Sequence, residues 1–386
     1  LALPFYLSNY QVTFLNSLFE SISGITGTGF SIFKNIKYLD PTLILWRSSS
    51  QWIGGLYFLF FLVLIFSNKQ FNYKMIGLTY SEDGNINSES NIKILLYKIF
   101  IFYSTLSFTI FLLLNVSEVR MFNSLNLSMS LISTGGFIPT NSLDKIINSN
   151  FQKLILIFSF LISMLNFFFI LNIFEKKIII REHREDLYLI VLAITFVLLI
   201  YLNNYNGLNI IMSVLSSLSN SGLSLISSNN NLTLYFILIA AIGGSLVSNS
   251  SGIKFARIYI LLKTASSQIM KLVSPNSIIN KNIFNSDKKI TDENIKISFL
   301  IFISFFISLF ILSGILIFDN IDFEESFKLS ILTITNTTNS AMFGIEKMDF
   351  SSLLTSSKLS LIIFMIIGKI ELISVFLIIK KVFFKD

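Results

Sequence analysis

The sequence predicts an all-α polytopic membrane protein that repeats one helical unit four times. Of its 386 residues, 53% are hydrophobic and 13% are charged, which is about half the charged fraction of a soluble domain. Long apolar blocks alternate with shorter, semi-polar ones. A spanning helix needs roughly 20 mostly apolar residues, whereas roughly 10–14 indicate a re-entrant segment. The alternation therefore predicts spanning helices interleaved with short helices that enter the membrane only part of the way.

The order of these blocks defines the repeat. The long blocks lie near residues 42–67, 93–116, 152–174, 186–203, 232–263, 296–318 and 358–384. The short blocks lie near residues 12–24, 121–133, 208–219 and 325–337. Each short block ends in a run of Ser, Thr, Gly or Asn and precedes a long block. Four units of helix, short helix, polar run and helix fit this order. The first unit lacks its opening helix, which is expected to precede Leu1.

Polar, basic linkers separate the units. The expected divisions are 1–68 for the first unit, 69–174 and 266–386 for the second and fourth with their linkers, and 175–265 for the third. The basic residues of the linkers and of the C-terminal tail include Lys69, Lys74, Lys176, Lys177, Arg181, Arg184, Lys271, Lys281, Lys288, Lys289, Lys380, Lys381 and Lys385. The positive-inside rule places the linkers and the C-terminus in the cytoplasm. The short helices are then expected to enter from the outer side of a plasma membrane.

Several chemistries lack the side chains that they need. The chain has no cysteine, which excludes disulfides, zinc–thiolate sites and thiol nucleophiles. The single histidine, His183, lies in a charged linker and is interpreted as solvated. No G-x-x-x-x-G-K-[ST] motif marks the use of ATP. The basic residues lie between apolar blocks, without the basic face and readout residues of a nucleic-acid-binding protein.

Four uncharged polar runs follow the short helices. They are Thr26-Gly27-Thr28-Gly29-Phe30, Ser133-Thr134-Gly135-Gly136-Phe137, Ser219-Asn220-Ser221-Gly222-Leu223 and Thr337-Thr338-Asn339-Ser340-Ala341. Three of them place a glycine before a bulky apolar residue. Non-helical backbone at membrane depth persists only where it is buried in protein or lines a watery cavity. One such run would suit simple helix packing, but four at equivalent places favour a shared, pore-lining role.

Such runs have the chemistry of a cation filter. Backbone carbonyls turned toward an axis replace the hydration shell of a cation. Glycine permits the φ values that aim successive carbonyls in one direction. The short helices end at the runs, and the partial negative charge of their C-termini favours a cation at the centre. We therefore predict four pore helices around a pseudo-fourfold central pore.

The sequence also resembles a known family along essentially its whole length. The stretches concerned are Leu3-Pro4-Phe5, Phe19-Glu20-Ser21-Ile22-Ser23-Gly24, Trp46-Arg47-Ser48, Gln51-Trp52-Ile53-Gly54-Gly55, Ser133 to Phe137, Ile242-Gly243-Gly244, Ser248 to Lys254 with Arg257, and Gly368-Lys369-Ile370-Glu371. In order, they are similar to the approach to the first filter, the start of the helix after it, the second filter, the broken helix of the third repeat and the last helix of the TrkH/TrkG/KtrB and HKT superfamily of potassium transporters.

The resemblance implies a potassium uptake pore in the bacterial inner membrane, with K⁺ as the transported ion and no organic cofactor. It also implies a homodimer and a cytosolic, nucleotide-binding TrkA- or KtrA-like regulatory subunit. The ion-binding residues carried over are Thr26, Gly27, Thr28, Gly29, Ser133, Thr134, Gly135, Gly136, Ser219, Asn220, Ser221, Gly222, Thr338, Asn339 and Ser340. K⁺ is expected to bind their backbone carbonyls. The filter glycines are Gly29, Gly136 and Gly222, and the fourth position is expected to fall on Ser340.

That fourth position departs from the family pattern. Where TrkH-like proteins have Gly-Pro-Gly, this chain has Ser340-Ala341-Met342. A Cβ restricts φ and can rotate one carbonyl away from the axis, and a filter serine in the plant branch is associated with sodium preference. Our main expectation is a serine that still coordinates K⁺. The alternative is a member of the same superfamily that carries sodium, or both ions.

A gate is expected below the filter, where the family has an intramembrane loop. The expected gate residues are Gly243, Gly244, Ser248, Asn249, Ser250, Ser251, Gly252 and Lys369. Lys369 stands where the family has arginine, and a cation in a spanning helix usually faces the pore or a partner. The alternatives are a continuous serine-rich helix, and a pair of Lys369 with Glu371 or a snorkelling lysine. Arg47 and Glu20 are expected to form a structural ion pair or a loop anchor.

Two other classes of function remain as rivals to potassium uptake. A sodium-coupled secondary solute transporter would need a site between inverted repeats, whereas the polar runs here all enter from one side. A membrane enzyme would need ionisable groups clustered at one depth, and only the isolated Lys369 and Glu371 are present. The chain is therefore not expected to be an enzyme.

Overall fold

The computed structural model describes residues 1–67, 89–174, 184–201, 207–226, 230–274, 282–285, 289–345 and 348–370. Within these ranges the chain is α-helical and has no β-strand. The helices are α1 Leu3–Tyr6, α2 Phe14–Thr26, α3 Pro41–Ser67, α4 Glu89–Val116, α5 Met121–Ile132, α6 Asn150–Met164, α7 Phe167–Phe174, α8 Arg184–Tyr201, α9 Gly207–Leu218, α10 Asn230–Ile242, α11 Phe255–Val273, α12 Asp292–Phe318, α13 Phe323–Ile334 and α14 Thr355–Ile370.

The four predicted units are present and close into a ring. Their short helices are α2, α5, α9 and α13, each followed by a longer or broken helix. The helix that follows each short helix also packs on the short helix of the next unit: α3 on α5, α6 on α9, α10 on α13, and α14 back on α2. Because the last contact returns to the first unit, units 1 and 3 lie opposite each other, as do units 2 and 4. This arrangement is the predicted pseudo-fourfold architecture.

Two described helices are long and apolar enough to cross a membrane. They are Ile92–Val116 and Asp292–Phe318, and a third span results if α6 and α7 count as one bent segment. Their outward faces carry exposed aromatic side chains, including Phe100, Phe108, Phe306 and Phe310. Such faces are too apolar for water and suit contact with lipid tails. The chain is accordingly a membrane protein.

The apolar block near 152–174 is not one straight helix, contrary to the sequence pattern. It breaks after Met164, and the two parts meet at 109°. Asn166 causes the break, because its Oδ1 accepts a hydrogen bond from Phe168 N (3.0 Å) and so caps α7. The backbone N–H of Asn166 donates to Asp186 Oδ1 at 2.8 Å. A single capping asparagine thus overrides the apolar pattern around it.

The linker that opens the division 266–386, placed in the cytoplasm by its basic residues, is helical through Val273 and again from Asp292. Thr291 begins the second helix, since its hydroxyl accepts from Asn294 N at 3.3 Å. His183, Glu371 and most of the basic linker residues lie outside the described residues. The cytoplasmic placement of the C-terminus, which depends on them, stays a prediction.

Candidate ion filter and intramembrane gate

The four short helices end in the same backbone turn. One residue at equivalent places in the four turns has a left-handed backbone, with φ of 74° at Gly27, 56° at Thr134, 62° at Asn220 and 48° at Asn336. The next amide donates back into its helix, as Thr28 N does to Ser23 O, Gly135 N to Ser130 O, Ser221 N to Ser216 O and Thr337 N to Leu332 O. These matches set a common register. They define four equivalent segments, residues 26–30, 133–137, 219–223 and 335–339, which are called the filter segments after their predicted role.

This register corrects the predicted position of the fourth segment. Gly29, Gly136 and Gly222 have φ of 76°, 73° and 72°, and the equivalent residue of unit 4 is Thr338, whose φ is not positive. The assignment of the fourth filter position to Ser340 is wrong by two residues. Ser340 has an extended backbone with φ of −147° and lines the cavity outside the filter segments. Thr335, Asn336 and Thr337, absent from the predicted set, belong to the fourth segment.

The filter segments converge closely on one another. A Cβ added at Gly29 or Gly136 would lie 2.0 or 1.7 Å from Thr338 Oγ1, and one at Gly222 would lie 2.4 Å from Thr338 O. Real Cβ atoms do not approach other atoms this closely. All three glycines are therefore required by space as well as by their positive φ.

Side chains behind the filter segments hold them in place. Gln51, which is fully buried in α3, donates through Nε2 to Gly135 O at 2.5 Å and accepts through Oε1 from Phe137 N at 3.2 Å. Asn220 donates to Ala240 O at 2.8 Å, and Asn336 donates to Met365 O at 2.9 Å. Each asparagine thereby ties its segment to the helix that follows in its own unit.

Glu20 and Arg47 form the predicted structural ion pair beside the first filter segment. Arg47 Nε lies 2.7 Å from Glu20 Oε1, and the two side chains are 1% and 0% exposed. Glu20 Oε2 also accepts from Ile32 N at 2.8 Å, and the Arg47 guanidinium lies 4.1 Å from the centre of the Phe137 ring. The pair therefore anchors the chain just after Gly29 to α2 and α3.

Glu20→Gln is expected to destabilise the folded protein by about 3 kcal/mol, because it leaves the Arg47 charge buried without a counter-charge. The measurement is the melting temperature of the purified protein in detergent. Glu324→Gln makes the same chemical change in the pair with Lys328, where the glutamate is 77% exposed, and serves as the matched control. A melting temperature for Glu20→Gln no lower than that of the control would contradict the anchoring role.

A cavity of about 670 Å³ opens outside the filter segments. Gly29, Gly136, Gly222 and Thr338 form its floor, and loop residues such as Lys34 and Asp349 line it. Lys34 Nζ lies 2.6 Å from Asp349 Oδ2 and links the loops of units 1 and 4. Partial burial works to raise the pKa of Asp349, but hydrogen bonds from Lys34 and Ser351 outweigh it and lower that pKa to about 2. The Asp349 side chain at the mouth is therefore ionised at neutral pH.

Residues 243–254, between α10 and α11, are called the gate loop after their predicted role and lie at the end of the filter segments opposite the cavity. The helix is broken here, as predicted, and the continuous-helix alternative is wrong. Asn249 Nδ2 donates to Ile132 O at 2.8 Å, and Thr134 Oγ1 donates to Asn249 O at 3.3 Å. The middle of the loop therefore contacts the start of the second filter segment directly.

Lys369, on α14, contacts the same loop residue. Its Nζ donates to Asn249 O at 3.1 Å and lies 4.7 Å from the centre of the Phe58 ring. A Cβ added at Gly27 would lie 3.6 Å from this Nζ, so the ammonium group stands next to the inner end of the first filter segment. The side chain is 7% exposed.

Comparison with known proteins gave relatives over the whole chain, although no family model matches it. An uncharacterized cation transporter of Methanocaldococcus jannaschii is 25% identical over 404 residues, covering 100% of this chain and 80% of that protein. The Trk system potassium uptake protein TrkG of Escherichia coli is 24% identical over 408 residues, covering 100% and 82%. The chain is a relative of the TrkG and TrkH proteins.

The fold agrees with this relationship. The crystal structure of the potassium transporter TrkH from Vibrio parahaemolyticus superimposes with a TM-score of 0.85 at 19% identity, covering 98% of this chain and 81% of that one. The resemblance inferred from the sequence motifs is thereby confirmed, as is the four-repeat helical fold.

Sequence reasoning missed the residues that hold the gate loop. Glu185 Oε1 accepts from Leu246 N at 2.8 Å, while Ser245 N donates to Met164 O at 2.9 Å and Phe167 N donates to Val247 O at 2.8 Å. The neighbouring Asp186 accepts from Asn166 N. The bend between α6 and α7 and the start of α8 thus hold the gate loop in place through hydrogen bonds. The only sequence signal was a pair of acids directly before an apolar block.

Proposed function

We propose that this chain is the membrane subunit of a potassium uptake system and conducts K⁺ through the filter segments, driven by the membrane potential. The observation that carries the proposal is the convergence of four uncharged backbone segments at the C-terminal ends of four short helices. Relatives that match this chain over its whole length and are named as Trk potassium uptake proteins support the choice of ion. Transport of this kind makes the chain a transporter and not an enzyme.

The filter segments supply the chemistry without charged side chains. Carbonyl oxygens of each segment replace the water that K⁺ loses on entry. The partial negative charges at the ends of α2, α5, α9 and α13 add to the attraction for a cation. Gln51, Asn220 and Asn336 keep the segments from collapsing or spreading, because they fix both the segment and its supporting helix.

The gate loop and Lys369 close the inner end in this conformation. Asn249 lies against the second filter segment, and the Lys369 ammonium repels a cation that leaves the filter inward. Opening then requires that Asn249 give up its hydrogen bonds to Ile132, Thr134 and Lys369. The gate residues proposed for this movement are Gly243, Gly244, Ser248, Asn249, Ser250, Ser251, Gly252 and Lys369.

The proposed assembly is a homodimer in the bacterial inner membrane with a cytoplasmic C-terminus. A cytosolic, nucleotide-binding TrkA- or KtrA-like subunit is proposed to control the gate from that side. The support for such a subunit is that the relatives are named as parts of a Trk system. The support for the orientation is the excess of basic residues in the linkers.

Ion flux into liposomes that contain the purified full-length chain tests this function. We expect K⁺ and rubidium to enter down an imposed membrane potential, and excess K⁺ to block rubidium entry far more than equal sodium does. If sodium blocked rubidium entry as strongly as K⁺ does, the chain would be a mixed K⁺/Na⁺ pore and the proposed K⁺ selectivity would be wrong. Uptake of an organic solute that depends on sodium would favour the secondary transporter. Liposomes without protein provide the baseline.

A further inference from the structure

Thr338 departs from the pattern of the other three filter segments. Gly29, Gly136 and Gly222 occupy its position in units 1, 2 and 3, all with positive φ. Thr338 is the one described residue at this level that carries a side chain, and it is 8% exposed. A side chain here has to lie somewhere within the ring that the three glycines line.

The Thr338 hydroxyl lies among the filter carbonyls. Oγ1 is 3.0 Å from Thr28 O and 3.3 Å from Gly135 O. These two carbonyls belong to the residues just before Gly29 and Gly136, so they are equivalent atoms of neighbouring units. In a carbonyl-lined filter such atoms form one coordinating ring, although Gly135 O also accepts a hydrogen bond from Gln51 Nε2 at 2.5 Å.

The position of this hydroxyl relative to the axis follows from the order of the units. Helix packing runs from unit 1 through units 2, 3 and 4 and back to unit 1, which places unit 2 opposite unit 4. Thr338 belongs to unit 4, and Gly135 belongs to unit 2. A side chain that reaches from one unit to the carbonyl of the opposite unit crosses the central axis.

We propose that the Thr338 hydroxyl occupies the outermost cation position of the filter and that an entering cation displaces it. This inference rests on the proposed function of the filter segments. The hydroxyl has one hydrogen to donate, and while it is shared with Thr28 O or Gly135 O those oxygens are partly withdrawn from a cation. A turn about χ1, between staggered positions, moves the oxygen off the axis and frees Thr28 O, while Gly135 O keeps its hydrogen bond from Gln51.

Three substitutions of Thr338 test the proposal, because each is expected to change K⁺ uptake in a different direction or not at all. Thr338→Gly removes the tethered competitor and is expected to lower the KM for K⁺ uptake about fivefold, the worth of one ordinary hydrogen bond. Thr338→Ser keeps the hydroxyl and is expected to stay within about twofold of the parent protein. Thr338→Val keeps the size but offers only methyl groups to a cation, so uptake is expected to fall by about tenfold or more.

A structural readout accompanies the flux measurements. Anomalous diffraction from crystals grown in rubidium is expected to show one more filter cation in Thr338→Gly than in the parent protein. Ser340→Gly, two residues further along and outside the filter segments, is the matched control and is expected to leave KM within about twofold. Melting temperatures of all four variants show which of them are folded.

The outcomes separate this inference from the proposed function. If Thr338→Gly and Thr338→Val both lower uptake, the hydroxyl is a cation ligand and the inference is overturned. If both behave like the parent protein, the side chain does not lie in the ion path and the inference is likewise overturned. Should the glycine variant fail to fold, an unchanged KM in Thr338→Val suffices to reject the inference. Gly136→Ser tests separately whether the filter segments are the ion path at all.

Discussion

Gly136→Ser is expected to abolish K⁺ uptake, reducing it by at least about a hundredfold, a loss of about 2.7 kcal/mol or more. The new Cβ would lie 1.7 Å from Thr338 Oγ1 and 2.5 Å from Ser221 O, so the second and third segments have to separate. A non-glycine residue at a φ of 73° adds backbone strain of about 1 kcal/mol. The measurement is rubidium flux in liposomes.

Gly314→Ser is the matched control for this loss. Gly314 lies in α12, and apart from the backbone of its own helix and its two chain neighbours no heavy atom lies within 4 Å of its added Cβ. The same chemical change there is expected to leave both uptake and melting temperature near those of the parent protein. Normal uptake by Gly136→Ser, at normal K⁺ preference, would show that the filter segments are not the ion path.

Lys369→Met is expected to raise the rate of K⁺ uptake about tenfold in the absence of any regulatory subunit. It removes a positive charge from the inner end of the filter, where repulsion of a cation about 4–6 Å away amounts to roughly 3–4 kcal/mol at an effective dielectric constant near 20. It also removes the donor to Asn249 O and so loosens the gate loop. The initial rate of rubidium entry is the quantity to measure.

Two further variants define what the Lys369→Met result means. Lys369→Arg keeps the charge and is expected to keep the low rate. Lys153→Met removes a lysine from α6, away from the gate loop, and is expected to have no effect. A folded Lys369→Met protein whose rate equals or falls below that of the parent would show that this lysine is a structural tie and not a barrier.

The sequence was sufficient to predict the four-unit repeat, because the repeat follows from the lengths of the apolar blocks. Apolar runs long enough to span and runs too short to do so are properties of the chain itself. The break between α10 and α11 could be predicted equally well, since Gly243, Gly244 and Gly252 flank a serine-rich stretch. The glycines of the first three filter segments stood out for the same reason, that few other residues adopt positive φ.

The fourth filter segment shows where composition fails. Its neighbourhood, from Thr335 to Ser340, consists entirely of small polar residues, and any of them resembles a filter residue. The register is set by where α13 ends, through the hydrogen bond from Thr337 N to Leu332 O. That bond depends on the packing of α13 against α12 and α14, which the local sequence does not contain.

The sequence by itself determined the membrane class, the four helical units, the three filter glycines and the broken helix, because each follows from the length, polarity or backbone freedom of a local stretch. The tertiary structure alone decided which residues meet. It placed Thr338 instead of Ser340 beside carbonyls of units 1 and 2, set Gln51 behind the second filter segment, and brought Glu185 to the gate loop. These contacts join residues 61 to 310 positions apart, and only the closed ring of helices brings such distant groups within hydrogen-bond distance.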